Sequence, residues 1–306
     1  MATLSRVSVD DAYTVRDATN ADVDQINRLF LAEYGEGYPY LMHALNARHI
    51  NLVAELGGQI VGFARAAPYG QYADVWELCS LVVCKNARRH GIAKQFTQVR
   101  LERLRHKGVR LVVSEGVTCY EDCASQRNLT AFGFRPCGLL PFRHPWIRPA
   151  ILGMQPLTLT VQVLELSGKT GFGRRRLFLP ESYIIAAEQL FSQQEVRPPW
   201  HQSPADRSPP SRLTTGKTIR GIRGADYVDI PINWEIAIER IDRLRLAGYG
   251  MGAILPGFGR VGSQTYDVLR MHRPDEGMDA PDFDLIHVVD ELAPHKAFIM
   301  REFGLI

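Results

Sequence analysis

The first 165 residues alternate between hydrophobic patterns typical of strands and of helices. Val23, Ile26 and Phe30 lie on one stripe at helical spacing, which predicts a helix over 19–33. Short apolar runs predict strands over 13–16, 50–55, 59–66, 76–84, 109–113 and 137–142, and other stripes predict helices over 93–107 and 125–132. This order of elements indicates an α+β or mixed α/β fold with a sheet and flanking helices.

The pattern breaks over 192–218, where five prolines stand among Ser, Gln and Arg. Such a segment buries little apolar surface and costs entropy to order, so it predicts a linker or a long surface loop. We therefore divide the chain into a first domain over 1–165, a connecting strand and helix over 166–191, the linker over 192–218, and a C-terminal lobe over 219–306.

A weak internal repeat relates the first domain to the C-terminal lobe. Residues 133–141 align without gaps on 248–256, an offset of 115 residues, and the same offset places Val112 on Tyr227. A strand–helix–strand unit therefore recurs after the linker, although two apolar strands can also resemble each other by chance. The lobe is then predicted to end in a strand over 284–289 and a helix over 291–303.

Composition and charge argue against several classes of function. With 36 basic and 33 acidic residues, the net charge of +3 is too small to predict a nucleic-acid surface. No apolar run predicts a membrane span, and no secretory signal stands at the N-terminus. The five cysteines do not suggest a disulfide framework, so we expect a reducing cytoplasm. Cys119 and Cys123 are interpreted as small buried residues rather than as zinc ligands or a nucleophile.

Residues 81–93 run from an apolar strand through a turn into a helix, with the form Arg-x-x-Gly-x-Ala from Arg88 to Ala93. Gly91 lets the backbone approach a ligand closely, and Ala93 keeps the helix entrance small. Unpaired amides at a helix N-terminus, together with the helix dipole, favour an anion such as a pyrophosphate. The turn therefore predicts a phosphate site, which other phosphate-binding folds also build.

The turn resembles the acyl-CoA signature, Arg/Gln-x-x-Gly-x-Gly/Ala, of the GNAT acyltransferase superfamily. Residues 125–134, which end in Gly-Phe, are similar to the late helix of that family, and 13–17 with the acidic helix after them resemble its start. The resemblance covers about residues 10–160. It implies the GNAT acyl-CoA N-acyltransferase fold, a mixed and mostly antiparallel sheet with flanking helices. The C-terminal lobe would be a smaller GNAT-like half-domain that lacks the cofactor motif.

The resemblance also implies how an acyl-CoA, first of all acetyl-CoA, would bind without a metal. The backbone at Leu81 and Val83 would hold the pantetheine arm, and the Val83 amide would be the oxyanion donor. Ser125 and Asn128 would meet the far end of the cofactor. The turn residues that would surround the pyrophosphate are Arg88, Arg89, His90, Gly91, Ile92 and Ala93.

Direct attack of an amine on the thioester needs a base, an oxyanion donor and a proton for the leaving thiolate. Glu77, four residues before Leu81, stands where some family members carry a general base, and Glu115 is the second candidate. A strand Glu on a solvated face or in a salt bridge is the alternative. Many members carry, where this chain has Leu129, a Tyr that acts as general acid and protonates the thiolate. Tyr120 is the candidate substitute, and otherwise solvent protonates the thiolate.

The segment after the first helix usually borders the acceptor site in this superfamily. Glu33, Tyr34 and Tyr38 lie there and offer rings for packing and a carboxylate for charge, and Arg143 lies after the sixth strand. These residues predict a site for a primary amine of a small molecule. An ordinary loop with aromatic packing is the alternative.

Two other functions remain open at this stage. One is the same chemistry with the acyl group on an acyl carrier protein, as in natural-product biosynthetic pathways; the basic patch for the acidic carrier would be Arg88, Arg89, His90 and Arg100. The other is a non-catalytic CoA-binding regulatory module, which Leu129 favours slightly. The C-terminal lobe would cover the acceptor pocket or hold a second chain in a homodimer.

Overall fold

The computed structural model describes residues 13–36, 38, 41–69, 72–144, 157–168, 176–192, 218–219, 225–274 and 281–306. Apart from its two ends, the predicted linker over 192–218 lies outside the described residues. The helices are α1 Val23–Tyr34, α2 Ile92–His106, α3 Ala124–Ala131, α4 Glu181–Ser192, α5 Ile236–Leu246 and α6 Ala293–Glu302. The strands are β1 Thr14–Asp17, β2 Ile50–Leu56, β3 Gln59–Pro68, β4 Val75–Val83, β5 Leu111–Val117, β6 Arg135–His144, β7 Leu157–Glu165, β8 Thr218–Ile219, β9 Ala225–Pro231, β10 Gly250–Val261 and β11 Gln264–Pro274.

The eleven strands of the described residues form one sheet in the order β1-β2-β3-β4-β5-β7-β6-β10-β11-β9-β8. The β4–β5 pair is parallel, and the other strand pairs are antiparallel. The apolar stripe of α1 packs on one face of the sheet, where Ile26 and Phe30 contact Phe63. The stripe of α2 packs on the opposite face through Phe96 and Leu104. The two helices therefore cover strands β3 and β4 from opposite faces of the sheet.

The repeat at an offset of 115 residues corresponds to a local symmetry of the sheet. The order β5-α3-β6-β7 recurs along the chain as β9-α5-β10-β11, and the sheet runs β5-β7-β6 and then β10-β11-β9. The two halves meet where Gly138 of β6 pairs with Ala253 of β10, and these two residues are equivalent in the repeat. A pseudo-two-fold axis therefore passes through this pair.

Several segments differ from the sequence-based expectation. The hydrophobic pattern does not predict strands β7, β8 and β11, and the strand predicted over 284–289 is wrong. That segment contains a 3-10 turn over Phe283–Leu285 and then runs without a strand partner. Its backbone is bound instead by the buried Gln126 side chain, which donates to the His287 carbonyl (2.9 Å) and accepts from the Val289 amide (3.0 Å). This side chain and one backbone bond, from the His287 amide to the Thr118 carbonyl (2.8 Å), therefore hold the segment without a strand ladder.

Gly138→Ala is expected to destabilise the protein by at least about 1–3 kcal/mol, because a methyl group at this position would overlap the carbonyl of Gly252 and the backbone of Ala253. The free energy of unfolding in urea measures the effect. Gly262→Ala is the matched control, since its methyl group would enter open space and leave only the cost of a positive φ, about 1 kcal/mol. Equal losses in the two variants would contradict a close junction at Gly138.

Candidate active site

The turn before α2 has the geometry of an anion site. Gly91 is the N-cap of α2 with φ +82°, and Arg89 also has a positive φ of +69°. The first bond of the helix runs from the Gln95 amide to the Gly91 carbonyl (3.0 Å). Within the described residues the amides of 89–94 have no backbone acceptor, so they point outward at the positive end of the helix dipole.

The three basic residues of the turn do not share one direction. Arg88 points away from the helix start and binds the Glu33 carboxylate (2.6 Å) and the Val83 carbonyl (3.1 Å). Arg89 is 84% exposed and pairs weakly with Asp122 (3.2 Å), and His90 is exposed. Arg89 and His90 are therefore placed to add charge at a phosphate, whereas Arg88 fastens the turn to α1.

Strands β4 and β5 separate beyond the pair Leu78–Ser114. Ser80, with φ +54°, lies in a register shift of β4 against β3, so β4 bends away from β5 after this pair. The Cys84 amide binds Val61 of β3 (2.9 Å). Because successive amides of a strand point to opposite edges, the amides of Leu81 and Val83 point into the gap between β4 and β5.

Arg100 supports this bend from within the protein. It is 1% exposed, and its guanidinium donates to the carbonyls of Arg65 (2.9 Å) and Phe96 (3.1 Å). Burial lowers the pKa of Arg100 to about 10. The expectation that Arg100 belongs to a surface patch for a carrier protein is therefore wrong, because the side chain satisfies carbonyl groups next to the bulge of β4.

A first cluster of predicted residues surrounds Glu33 at the end of α1. The Glu33 side chain is 9% exposed, and its carboxylate accepts hydrogen bonds from Arg88 and from the Tyr120 hydroxyl. Burial, and then the hydrogen bond to Glu33, raise the pKa of Tyr120. The rings of Tyr34 and Tyr38 stack at 5.4 Å beside this cluster. Tyr120 is therefore a poor proton donor in this arrangement, because its proton is already engaged with Glu33.

A second cluster lies where β4 and β5 separate and contains both predicted bases. Glu77 is partly exposed, and no hydrogen-bond or ion-pair partner of its carboxylate is found in the described part of the chain. Burial, and then the charge of Glu115, raise the pKa of Glu77 to about 8. Glu115 is 5% exposed and binds Arg143 in an ion pair (3.0 Å). Arg143 therefore lies in the second cluster, apart from the other three predicted acceptor residues.

The C-terminal lobe supplies a part of this second cluster that sequence reasoning missed. Tyr69, between β3 and β4, donates to Glu115 (2.9 Å) and accepts from Arg270 of β11 (2.7 Å). Arg270 in turn binds both carboxylate oxygens of Asp229 on β9 (2.8 and 2.9 Å). Glu115 of the first domain is therefore connected through Tyr69 to an ion pair of the second lobe.

Residues predicted at the far end of the cofactor lie on α3. The Asn128 amide donates to Thr97 of α2 (2.8 Å), and the buried Ser125 hydroxyl has no partner among the described atoms. Leu129, at the position of the family's Tyr, is 5% exposed and packs in the core behind α3. Asn128 therefore joins α3 to α2, and Leu129 offers no proton to the gap.

The remaining questions concern the cysteines, a metal site and a membrane-spanning helix. All five cysteines are free, and Cys119, Cys123 and Cys137 are buried. Within the ranges described above, no group of three or more His, Cys, Asp or Glu side chains is placed to hold a metal ion. Among the same residues, no helix combines the length and apolar character that crossing a bilayer requires.

A mixed sheet with a separated strand pair and outward amides at a helix start is the arrangement that the resemblance to the GNAT superfamily implies. Residues 21–134 match the family model of the GNAT acetyltransferases. The chain therefore carries a GNAT acetyltransferase domain, and this domain is an acyl-transferring enzyme domain. The predicted fold class is confirmed.

Solved structures with a similar fold each match about half of the chain. An N-acetyltransferase from Staphylococcus aureus Mu50 is 20% identical with a TM-score of 0.42, over 51% of this chain and 99% of that one. A ribosomal-protein-alanine N-acetyltransferase from Brucella melitensis is 22% identical with a TM-score of 0.40, over 50% and 99%. A putative acetyltransferase from Salmonella typhimurium, solved with its cofactor acetyl-CoA, is 19% identical with a TM-score of 0.40, over 51% and 95%. No curated protein matches the chain.

Proposed function

We propose that the protein transfers an acyl group from acyl-CoA to a primary amine of a small molecule, with Glu77 as general base. The observation that carries this proposal is a carboxylate with a raised pKa and without a partner among the described residues, placed where β4 and β5 separate. A base whose pKa lies near the working pH removes protons most effectively. The outward amides of 89–94 support acyl-CoA as the donor, with acetyl-CoA as the first candidate.

The reaction follows from the positions of these groups. Glu77 takes a proton from the acceptor ammonium, directly or through one water. The amine nitrogen attacks the thioester carbon, and the negative charge that forms on its oxygen is held by the Val83 amide. The carbon–sulfur bond then breaks to release the thiolate, and the attacking nitrogen loses its second proton to solvent. Solvent protonates the thiolate, because Tyr120 is engaged with Glu33 and Leu129 carries no proton.

A cationic acceptor also suits the charge of the second cluster. Its carboxylates are Glu77, Glu115 and Asp229, and its cations are Arg143 and Arg270. Once Glu77 is ionised, the cluster has one negative charge in excess, which an ammonium group compensates. A neutral or anionic acceptor would leave this charge uncompensated in a partly buried site.

The structure favours CoA over a carrier protein as the donor. The basic surface proposed for an acidic carrier loses Arg100 to the interior, and Arg88 is paired with Glu33. Arg89 and His90 are left exposed beside the outward amides of the turn, where a pyrophosphate is a better match than a protein surface. We also propose that the enzyme works in the cytoplasm, where acyl-CoA is available.

Calorimetric titration with acetyl-CoA, longer acyl-CoAs and free CoA tests the donor. Micromolar binding of one of them supports the proposal and selects the acyl group for an assay of thiol release with a panel of primary amines. If no CoA species binds, titration with an acylated carrier protein follows. Binding of the carrier would replace the donor, and failure of both titrations would favour a module without catalysis.

A further inference from the structure

Each arginine of the second cluster is committed to one carboxylate. Arg143 pairs with Glu115 on the first domain, and Arg270 pairs with Asp229 on the C-terminal lobe. Both Glu115 and Arg270 are almost fully buried, at 5% and 2% side-chain exposure. Among the described residues, Glu77 is the carboxylate of this cluster that no cation contacts.

The direction of the hydrogen bonds connects the two pairs. A guanidinium can only donate, so the Arg270 bond to the Tyr69 hydroxyl occupies an acceptor lone pair of that oxygen. The single hydroxyl proton of Tyr69 then points to Glu115, 2.9 Å away. Glu115 accepts this proton and the Nε–H of Arg143, and both bonds favour its ionised form. Any proton that the two glutamates share is therefore held by Glu77.

We propose that Arg270 of the C-terminal lobe is a positioning residue for acyl transfer: its charge favours the ionised form of Glu77, and its hydrogen bond turns the Tyr69 hydroxyl toward Glu115, so that Glu77 is left as the base. This inference rests on the proposed function, since Glu77 is a base only in that reaction. The second lobe thereby contributes to catalysis although it carries no cofactor motif.

Several groups from neighbouring elements act on Glu77, and they determine the direction of its titration. The charged and titratable groups facing it are Glu115 of β5, Arg143 of β6, Arg270 of β11, Tyr69 before β4 and Cys79 of β4. Burial and Glu115 raise the pKa of Glu77, whereas the two arginines lower it. Removal of Arg270 is therefore expected to move the ionisation of Glu77 to higher pH.

The ionisation of Glu77 can be measured without turnover. The free energy of unfolding is compared between the protein and its Glu77→Gln variant as a function of pH, so that the difference reports the pKa of Glu77. The comparison is repeated with Arg270→Gln and Asp229→Asn together, which removes the buried pair as a pair and avoids an unpaired carboxylate. We expect an upward shift of about half to one pH unit. Arg270→Lys keeps the charge and should leave the titration near its original pH.

The hydroxyl link is tested by Tyr69→Phe, which keeps the ring and the Arg270–Asp229 pair. Its turnover with acetyl-CoA and an accepted amine is expected to fall about tenfold with an unchanged KM for acetyl-CoA. The matched control is Tyr72→Phe, since the Tyr72 hydroxyl also bridges the lobes but binds the Tyr266 hydroxyl (2.8 Å). The control should keep its turnover within about twofold.

The results of these experiments distinguish a failure of the role proposed for Arg270 from a failure of the proposed function. An unshifted titration in the doubly substituted protein, or equal losses in Tyr69→Phe and Tyr72→Phe, would overturn the role of Arg270. If the titration shifts as expected while the unsubstituted protein transfers no acyl group to any amine, the proposed function fails. The control of Glu77 by Arg270 would then stand without that reaction.

Discussion

Glu77→Gln is expected to lower kcat by about 10²–10⁴, the usual contribution of a positioned general base. The amide keeps the shape of the side chain but accepts no proton, so the affinity for acetyl-CoA should not change. In the unsubstituted enzyme, kcat should rise with pH through about 8, because the pKa of Glu77 is raised to about 8 by burial and by Glu115. Glu77→Gln should lack this rise.

As the pH rises, the free energy of unfolding should fall while kcat increases. The folded protein holds a proton on Glu77 that the unfolded chain releases near its ordinary pKa of 4.5. This contribution to stability is complete below pH 4.5 and is lost as the pH rises through about 8. Glu77→Gln should therefore be more stable than the unsubstituted protein at alkaline pH, by roughly 1–3 kcal/mol, and similar to it in acid.

An assay of thiol release measures kcat, calorimetric titration measures the affinity for acetyl-CoA, and urea unfolding measures stability. The assay and the unfolding are repeated over a range of pH. Glu55→Gln is a control for the substitution, since Glu55 lies on β2 and pairs with Arg16, far along the sheet from the gap. A Glu77→Gln enzyme with full kcat and an unchanged pH profile would show that another group removes the proton. The acceptor amine alone would then account for the rise with pH.

Gly91→Glu is expected to lower the affinity for CoA at least about a hundredfold. The substitution forces a side chain onto a residue with φ +82° and places a carboxylate beside the outward amides of the turn. Like charge at this position opposes the pyrophosphate, and the positive end of the helix dipole would be neutralised by the protein itself. Calorimetric titration with CoA measures the loss.

The same helix provides a matched control for Gly91→Glu. Gly108 follows the other end of α2, has φ +69°, and has open space where a Cβ would stand. Gly108→Glu therefore carries the same charge change and a similar backbone strain without touching the turn. Loss of CoA affinity in both variants would indicate general damage to α2, and full affinity in Gly91→Glu would contradict the proposed cofactor site.

The sequence predicts those parts of the site that are local in the chain. The strand, turn and helix over 81–93 follow from one hydrophobic pattern and one glycine, and they lie together whatever the rest of the chain does. Arg100 was accessible to the same reasoning, because Ile92, Phe96, Arg100 and Leu104 follow one another at four-residue spacing on α2. The basic charge of Arg100 suggests the surface, but its place in this stripe predicts the interior.

Contacts between strands that are distant in the chain cannot be predicted from the sequence, for a physical reason. The Tyr69–Arg270 bond joins residues 201 positions apart, and it depends on the order in which β11 joins the sheet. That order depends on β7 and β11, which were not expected, although alternating residues of β7 such as Leu159, Val161 and Val163 are buried. The link between the lobes therefore could not be inferred from motifs.

The junction of the two halves also has a consequence for aggregation. Without β10, strand β6 would be an open edge ten residues long, with unpaired backbone groups able to recruit a strand from another molecule. The internal repeat places its own equivalent strand beside that edge, with Gly138 paired to Ala253. The sheet, as described, then ends in β1 and β8, which are four and two residues long. Edges this short offer little template for polymerisation, so the duplication that extends the sheet also limits its self-association.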